Sequence, residues 1–356
     1  MKTTGIRQQS WSVLTNLQTG QIREWPSVSI AIPTFNSVTR VRRCLQSVFA
    51  QKYPSKIEVL VVDEGSTDGT LDIVREFPVR LLQGSFGGPE IAKMAAFRNA
   101  TGELFFYLDD DNELTSSDWI SKMAFPLIDD ASIVGSFTHQ HAAWNDPDVI
   151  KYLSYDKLQR DPFLAYFSIG IEETFVESRP EYTVCRFTPA RTPPQGLLVS
   201  RQADIQRILE SDALSENRAL DIDLTAALVA RGRVRFAYVS VGIIHHFADS
   251  FKTLIKKRVI HVKRGFLASY PNRRFVWAAT SDKDSMKKMV KWIVISNSIL
   301  PLFISGFRKY RRLGDPVLLL EPLVGLVLTD AAYYAFLTDP RGRRVAFEGL
   351  KGLVGR

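Results

Sequence analysis

Cysteine is nearly absent: Cys44 and Cys185 are the two in a chain of 356 residues. Their separation gives neither a metal-ligand spacing nor a disulfide framework, which excludes a thiolate–zinc or disulfide-stapled design and leads us to expect a reducing compartment. An apolar signal core is also missing. Residues 1–26 are polar despite Trp11 and Trp25, so secretion is not expected. No basic–aromatic motif or zinc spacing accompanies the positive charge, and nucleic acid is therefore not expected as a partner. The net charge of +8 still asks for an anionic partner, and nucleotide phosphate or acidic lipid remains. The length and the 45% hydrophobic content suffice for a catalytic domain with an appendage.

What is present is an alternation of apolar runs and helical spacings. Val28–Ile32 is a short apolar run closed by Pro33, and Val38–Ala50 carries Val41, Leu45, Val48 and Phe49 at helical intervals. Ile57–Val62 is a second run, followed by the turn-rich Asp63–Gly69 and then Leu71, Ile73 and Val74 of another helix. Val79–Leu82, a helix over Glu90–Ala100 and the run ending at Leu108 continue the pattern. Strands alternating with helices predict an α/β fold with a mainly parallel sheet. Right-handed crossovers would bring the first, second and fourth strand ends to one edge. The polar clusters Pro33–Asn36, Asp63–Asp68 and Asp109–Asp111 all fall at such ends.

The last cluster, Asp109-Asp110-Asp111-Asn112, is the most informative. Clustered carboxylates repel and resist desolvation unless a cation sits among them. On an extended chain Asp109 and Asp111 alternate to one side, beyond the carboxyl end of the strand, where open α/β sheets bind ligands. Oxygen ligands suit Mg²⁺ or Mn²⁺, ions that also bind substrate phosphates. A solvated acidic turn preceding a helix is the plain alternative.

Together, Val28-Ser29-Ile30-Ala31-Ile32-Pro33-Thr34-Phe35-Asn36, Val61-Val62-Asp63-Glu64-Gly65-Ser66-Thr67-Asp68-Gly69-Thr70 and Gly102-Glu103 through Asp111 resemble the GT-A fold family 2 glycosyltransferases over roughly the first 130 residues. The resemblance implies a Rossmann-like mixed sheet flanked by helices, and inverting transfer of a sugar from a nucleotide diphosphate donor. It implies donor-binding roles for Pro33, Thr34, Phe35, Asn36, Asp63, Glu64, Ser66, Asp68, Gly88, Lys93 and Asp110. Among these, Asp63 would contact the base, Asp68 would support its loop and Lys93 would face a phosphate. Glu64 stands where the family usually has a second Asp, and Met94 stands where it often has Asn.

Inverting displacement needs a base for the acceptor hydroxyl. The stretch Leu220-Asp221-Ile222-Asp223-Leu224 resembles the family's Glu-Asp-x-Asp-Leu and points to Asp221, with Asp223 second; otherwise both acids simply begin a helix. His245-His246 follows the apolar run Val239–Ile244. The resemblance assigns His245 to the metal alongside Asp109 and Asp111, whereas a lone histidine is more often a packed core residue. Between these motifs, Asp130–Gln195 has no clean period and would shape the acceptor site.

Downstream, Ser250–Phe266 reads as a basic helix. Met289–Phe307 and Pro316–Leu337 approach the ~20 residues that span a bilayer. Both carry polar interruptions, and Arg308, Lys309, Arg311 and Arg312 between them disfavour a spanning hairpin with a cytosolic catalytic domain. Helices lying in the interface, or a shallow re-entrant hairpin, fit better; a buried helical subdomain is the alternative. The resulting expectation is an N-terminal extension (1–26), a donor half (27–130), an acceptor half (131–248), a basic linker (249–288) and a hydrophobic, membrane-associated helical region (289–356). The expected activity is metal-dependent transfer, with UDP-sugar favoured, to a lipid-linked or cell-envelope glycan acceptor at the cytoplasmic face of a membrane, the anionic surface serving as a further partner. A nucleotidyltransferase, or a nucleotide-sugar-binding scaffold without turnover, would share these motifs.

Overall fold

The computed structural model describes residues 14–15, 22–193, 197–211, 222–267 and 283–354. A short antiparallel pair, β1 (Leu14–Thr15) and β2 (Ile22–Arg23), precedes the main sheet. Then come β3 (Val28–Thr34), α1 (Val41–Phe49), β4 (Ile57–Asp63), α2 (Thr70–Val74), β5 (Arg80–Gln83), α3 (Pro89–Asn99) and β6 (Leu104–Tyr107). The four strands run parallel in the order β6-β3-β4-β5, so the first, second and fourth strands of this unit are neighbours, as expected. All seven residues of β3 are buried, in keeping with a central parallel strand covered on both faces. Helix α1 covers the sheet with Val41, Cys44, Leu45 and Val48, an i, i+3, i+4, i+7 stripe. Gly102, before β6, admits no side chain: a Cβ there would lie 2.5 Å from the Ser29 amide nitrogen.

The sheet does not stop at β6. After β7 (Asn112–Leu114) and α4 (Trp119–Asp129), the chain adds β8 (Gly135–Phe137). It then passes through β9 (Gln140–His141), α5 (Asp148–Leu153) and α6 (Pro162–Phe167) to β10 (Phe175–Ser178), β11 (Thr183–Arg186), β12 (Val199–Arg201), α7 (Gln202–Ser211), α8 (Ile222–Ala230) and β13 (Arg235–Tyr238). The full order is β10-β11-β13-β8-β12-β6-β3-β4-β5. The three-residue β12 is antiparallel to β6 on one side and to β8 on the other, joining the strands of residues 27–130 and 131–248 into one mixed sheet. The single strand expected over Val239–Ile244 is instead a break. Gly242, at φ 75°, turns the chain from β13 into β14 (Ile243–His245), which joins β7 and β9 in a separate three-stranded sheet.

The basic helix is shorter than expected: α9 (Phe251–Ile260) passes into a π-helical turn, His261–Leu267. The first apolar stretch is two helices, α10 (Lys283–Ser298) and α11 (Leu300–Leu313), meeting at 74° around Ile299, whose φ of 61° breaks the run. The second is a 3₁₀ turn (Pro316–Leu320) and α12 (Glu321–Thr338), followed by α13 (Pro340–Val354). The span Pro316–Thr338 is long and apolar enough to cross a bilayer, yet 44% of its 18-residue apolar window is buried by protein. Helix α12 packs on α6, α9, α10, α11 and α13, and its Thr329 accepts a hydrogen bond from Trp292 Nε1 at 3.0 Å. It is the central helix of a C-terminal helical layer.

Candidate active site

Three strand ends, from β3, β4 and β6, deliver the polar clusters to one edge. Asp63, at the end of β4, is fully buried. Its Oδ2 accepts from the amides of Gly65 (2.9 Å) and Ser66 (3.0 Å), and the Ser66 hydroxyl donates to Oδ1. Gly65, at φ 89°, permits that tight wrap. Asp63 thus builds its own loop. Asn36 and Asp68 stitch the loop to the end of β3: Asn36 Oδ1 accepts from Thr67 N (3.0 Å), its amide donates to Ser66 Oγ (2.9 Å), and Asp68 accepts from Val38 N (3.2 Å) and Thr70 N (3.1 Å). The Thr70 hydroxyl and these amides hold the Asp68 carboxyl below its ordinary range. Phe35 stands exposed beside this seam and lines the cleft described below.

Glu64 faces the opposite way. It accepts from the Gly88 amide at 2.9 Å, pinning the start of α3, and burial raises its carboxyl above the usual value. Gly88, at φ 131°, and Pro89 at the first helical position set the entry into α3, whose amino end opens on the same cleft. One turn on, Lys93 is buried against the Tyr107 ring, with Nζ 3.9 Å from the ring centroid, 3.3 Å from Glu90 Oε1 and 3.2 Å from Asp109 Oδ1.

The carboxylate cluster does not continue β6 in extended form. Asn112 N donates to Asp109 O at 2.9 Å, closing a turn that sends the three acids in separate directions, in place of the expected i, i+2 alternation. Asp109 borders the cleft and meets Lys93. Asp110 turns inward, accepting from Thr34 Oγ1 (3.0 Å) and the Ser37 hydroxyl, with Arg40 at 3.7 Å. Burial is the largest influence on its carboxyl and raises it. Asp111 lies between His245 Nε2 (3.5 Å) and Lys257 Nζ (3.4 Å). Burial is the largest influence and opposes its ionisation, but His245, Lys257 and Arg40 together outweigh it and hold the carboxyl well below the ordinary range. Its Oδ1 is buried without a hydrogen-bond donor, as is Asn112 Oδ1.

His245 is oriented from behind. Its Nδ1 faces Gln159 Oε1 (2.8 Å) and Gln140 Oε1 (3.1 Å), so a proton on Nδ1 leaves Nε2 towards Asp111, the arrangement a metal-ligating imidazole takes. His246 points away, between Glu113 (3.3 Å) and Asp146 (3.6 Å). Among the described residues no three His, Cys, Asp or Glu side chains close into a metal cluster. Asp111 and His245 are brought together, while Asp109 is turned to Lys93. The orphaned Asp111 oxygen and the presented imidazole nitrogen are nevertheless a donor pair suited to Mn²⁺ or Mg²⁺.

Asp221 lies outside the described residues. Asp223 is in the first turn of α8, buried, and lines the same cleft as Lys93 and Asp109. That cleft encloses about 1370 Å³. The sequence did not single out Ser37, Arg40, Gln140, Gln159 or Lys257, which hold the acids and His245. Only the charge of the 252–264 segment hinted at one of them.

Residues 29–172 match the family described as Glycosyl transferase family 2. Among curated relatives, glycosyltransferase AglE of Haloferax volcanii is 38% identical over 93 residues, 24% of this chain and 31% of its own length. An N-acetylglucosaminyltransferase of Rhizobium meliloti is 28% identical over 252 residues, 67% of this chain and 55% of its own. The first relatives are matched over about a third of their length. A solved mannosyltransferase, PcManGT from Pyrobaculum calidifontis in complex with GDP-Man and Mn²⁺, is 17% identical, with a TM-score of 0.44 over 98% of this chain and 80% of its own, too loose a likeness for site correspondence. By their sequence, set in this mixed sheet flanked by helices, residues 29–172 belong to glycosyl transferase family 2.

Proposed function

We propose that the protein is an inverting glycosyltransferase that moves a sugar from a nucleoside diphosphate donor, UDP-sugar favoured, to an acceptor hydroxyl. The observation that carries this reading is the convergence of the β3, β4 and β6 ends, the amino end of α3 and Asp223 around one cleft. The Asp63–Asp68 loop and Pro33–Asn36 would hold the nucleoside. Lys93 and the amino end of α3 would face the diphosphate, where backbone N–H groups and the helix dipole favour anions. Asp109, Asp111 and His245 would hold Mn²⁺ or Mg²⁺. When bound, that ion supplies positive charge for the departing nucleoside diphosphate.

The acceptor oxygen attacks the anomeric carbon as the bond to the diphosphate breaks, and its proton passes to a carboxylate. Asp221 is assigned that role, with Asp223, two residues on and facing the cleft, as the alternative base. The acceptor is assigned to the membrane-borne or cell-envelope glycans, and the C-terminal helices to the cytoplasmic surface of a bilayer. An exposed apolar ridge on α10 and α11, comprising Val290, Val294, Leu300, Phe303 and Phe307, supports that placement, as do Arg308, Arg311 and Arg312 beside it.

The decisive experiment incubates purified protein with Mn²⁺ and a panel of nucleotide sugars and identifies the released nucleotide. Nucleoside diphosphate release that requires acceptor is expected. Pyrophosphate from a nucleoside triphosphate would instead establish a nucleotidyltransferase. Donor binding without release under any acceptor would establish a scaffold. Asp221→Ala should retain donor binding and lose transfer; if transfer persists and Asp223→Ala abolishes it, the base is Asp223.

A further inference from the structure

The cleft is larger than a nucleotide sugar needs, and its lining changes character. Its acids, Glu64, Glu90, Asp109 and Asp223, all come from the mixed-sheet part of the chain, before α9. The C-terminal layer and the π turn contribute His261, Arg264, Tyr333 and a majority of apolar side chains, among them Met289, Val290, Ile293, Ala332, Phe336 and Leu337. The helices that carry them pack on one another, α10 on α12 and α13, and α12 on α9. They form one apolar arm continuous with the donor end.

That arm is not closed. Val290, Ile293 and Leu337 line it and are also 46%, 38% and 63% exposed. From Val290 and Ile293 the exposed apolar surface continues along Val294, Leu300, Phe303 and Phe307. Inner wall and outer ridge therefore share residues, which gives an apolar chain a sideways exit from the arm. Water filling such an arm costs free energy in proportion to its apolar area, and a bare glycan would offer the arm few partners. At the boundary with the donor end, Arg258 is already paired with Asp161, while Arg264 reaches the cleft with an exposed side chain.

We propose that the acceptor is a membrane lipid whose hydrocarbon chain lies in this arm, entering from the bilayer between α10 and α12, with an anionic phosphate headgroup held at Arg264 and turned to the donor. The proposal rests on the glycosyltransferase reading and specifies its acceptor.

The test is calorimetric titration of the full chain, in detergent-free amphipol, with n-alkyl phosphates from C4 to C10 and the matching n-alkanols, and with UDP plus Mn²⁺ on the same samples. Affinity for the phosphates is expected to rise about fourfold per methylene, the increment of methylene burial. Ala332→Trp, which fills the arm, should flatten that dependence while leaving UDP binding unchanged. Arg264→Gln should weaken the phosphates roughly tenfold and leave the alkanols unaffected. Should Ala332→Trp lose UDP binding through misfolding, Leu337→Gln at the exposed mouth replaces it and should cut the C10 affinity severalfold. Chain-length-independent binding, or an undiminished dependence in a filled or polar-mouthed variant that still binds UDP, overturns the proposal. Equal binding of phosphates and alkanols overturns the anionic headgroup. Chain-length dependence without any nucleotide binding would leave the lipid arm standing and remove the donor reading.

Discussion

At the scale of single residues, the site is built from carboxylates that serve quite different tasks. Asp63 spends its oxygens on its own loop, so Asp63→Ala leaves two amides and a hydroxyl without their acceptor. A loss of about 1–3 kcal/mol in stability is expected from such buried orphans, along with weaker nucleotide binding, as measured by urea unfolding and UDP titration. Asp111→Ala should instead lower Mn²⁺-dependent UDP affinity by tenfold or more, and chelator should no longer alter what remains. Affinity indifferent to both the variant and the chelator would end the metal assignment. The sequence named these acids because each follows an apolar run. It could not say which way each turns, because Ser37, Arg40 and Lys257, which decide that, lie far off in the chain or carry no distinguishing pattern.

A histidine outside the lining of the cleft sets a pH dependence. Burial, with His141 and Lys157 nearby, pushes His139 down to about 4, and its Nδ1 lies 2.7 Å from the Tyr238 hydroxyl. The unfolded chain, with an ordinary imidazole near 6.5, binds a proton in the interval between those values that the folded chain refuses. This contribution therefore makes stability fall as pH drops from about 6.5 towards 4, and it vanishes above that interval. Urea midpoints at pH 4.5 and 7 should differ less in His139→Gln than in the parent; an unchanged difference would remove His139 from the account.

Among the elements, the parallel unit β3-α1-β4-α2-β5-α3-β6 was legible because β3, β4 and β6 are predominantly apolar runs and α1 carries an i, i+3, i+4, i+7 stripe. Two elements were misread, for identifiable reasons. The run before His245 contains Gly242, whose positive φ moves the chain from one sheet to another, a tertiary event that hydropathy does not register. The first apolar stretch near the C-terminus is bent at Ile299, so composition suggested a continuous segment where the chain makes a corner. Leu300, at that corner, is 63% exposed. Leu300→Glu should leave the unfolding midpoint nearly unchanged and reduce flotation with anionic vesicles roughly tenfold, since an exposed apolar contact to lipid is lost and a charge of the wrong sign added. Unaltered flotation would show that this ridge does not face the bilayer.

For the molecule as a whole, the acidic strand ends and the basic C-terminal layer sit on one chain of net charge +8. Vesicle association should weaken as salt is raised and persist in part at high salt, because apolar insertion is not screened. The joining of residues 27–130 to residues 131–248 in one sheet was not readable, because β12 is three residues long and the stretch before it has no period. That small strand has a practical consequence. Severing the chain near residue 130 and expressing the pieces apart would part β6 from β12, which stays paired with β8 on the other fragment, and leave a raw hydrogen-bonding edge on each piece, that of β6 on one and that of β12 on the other. The two halves should therefore precipitate when made separately and regain solubility only when co-expressed, so that whatever gene rearrangements this family tolerates, a cut through β12's partners is not among them for this protein.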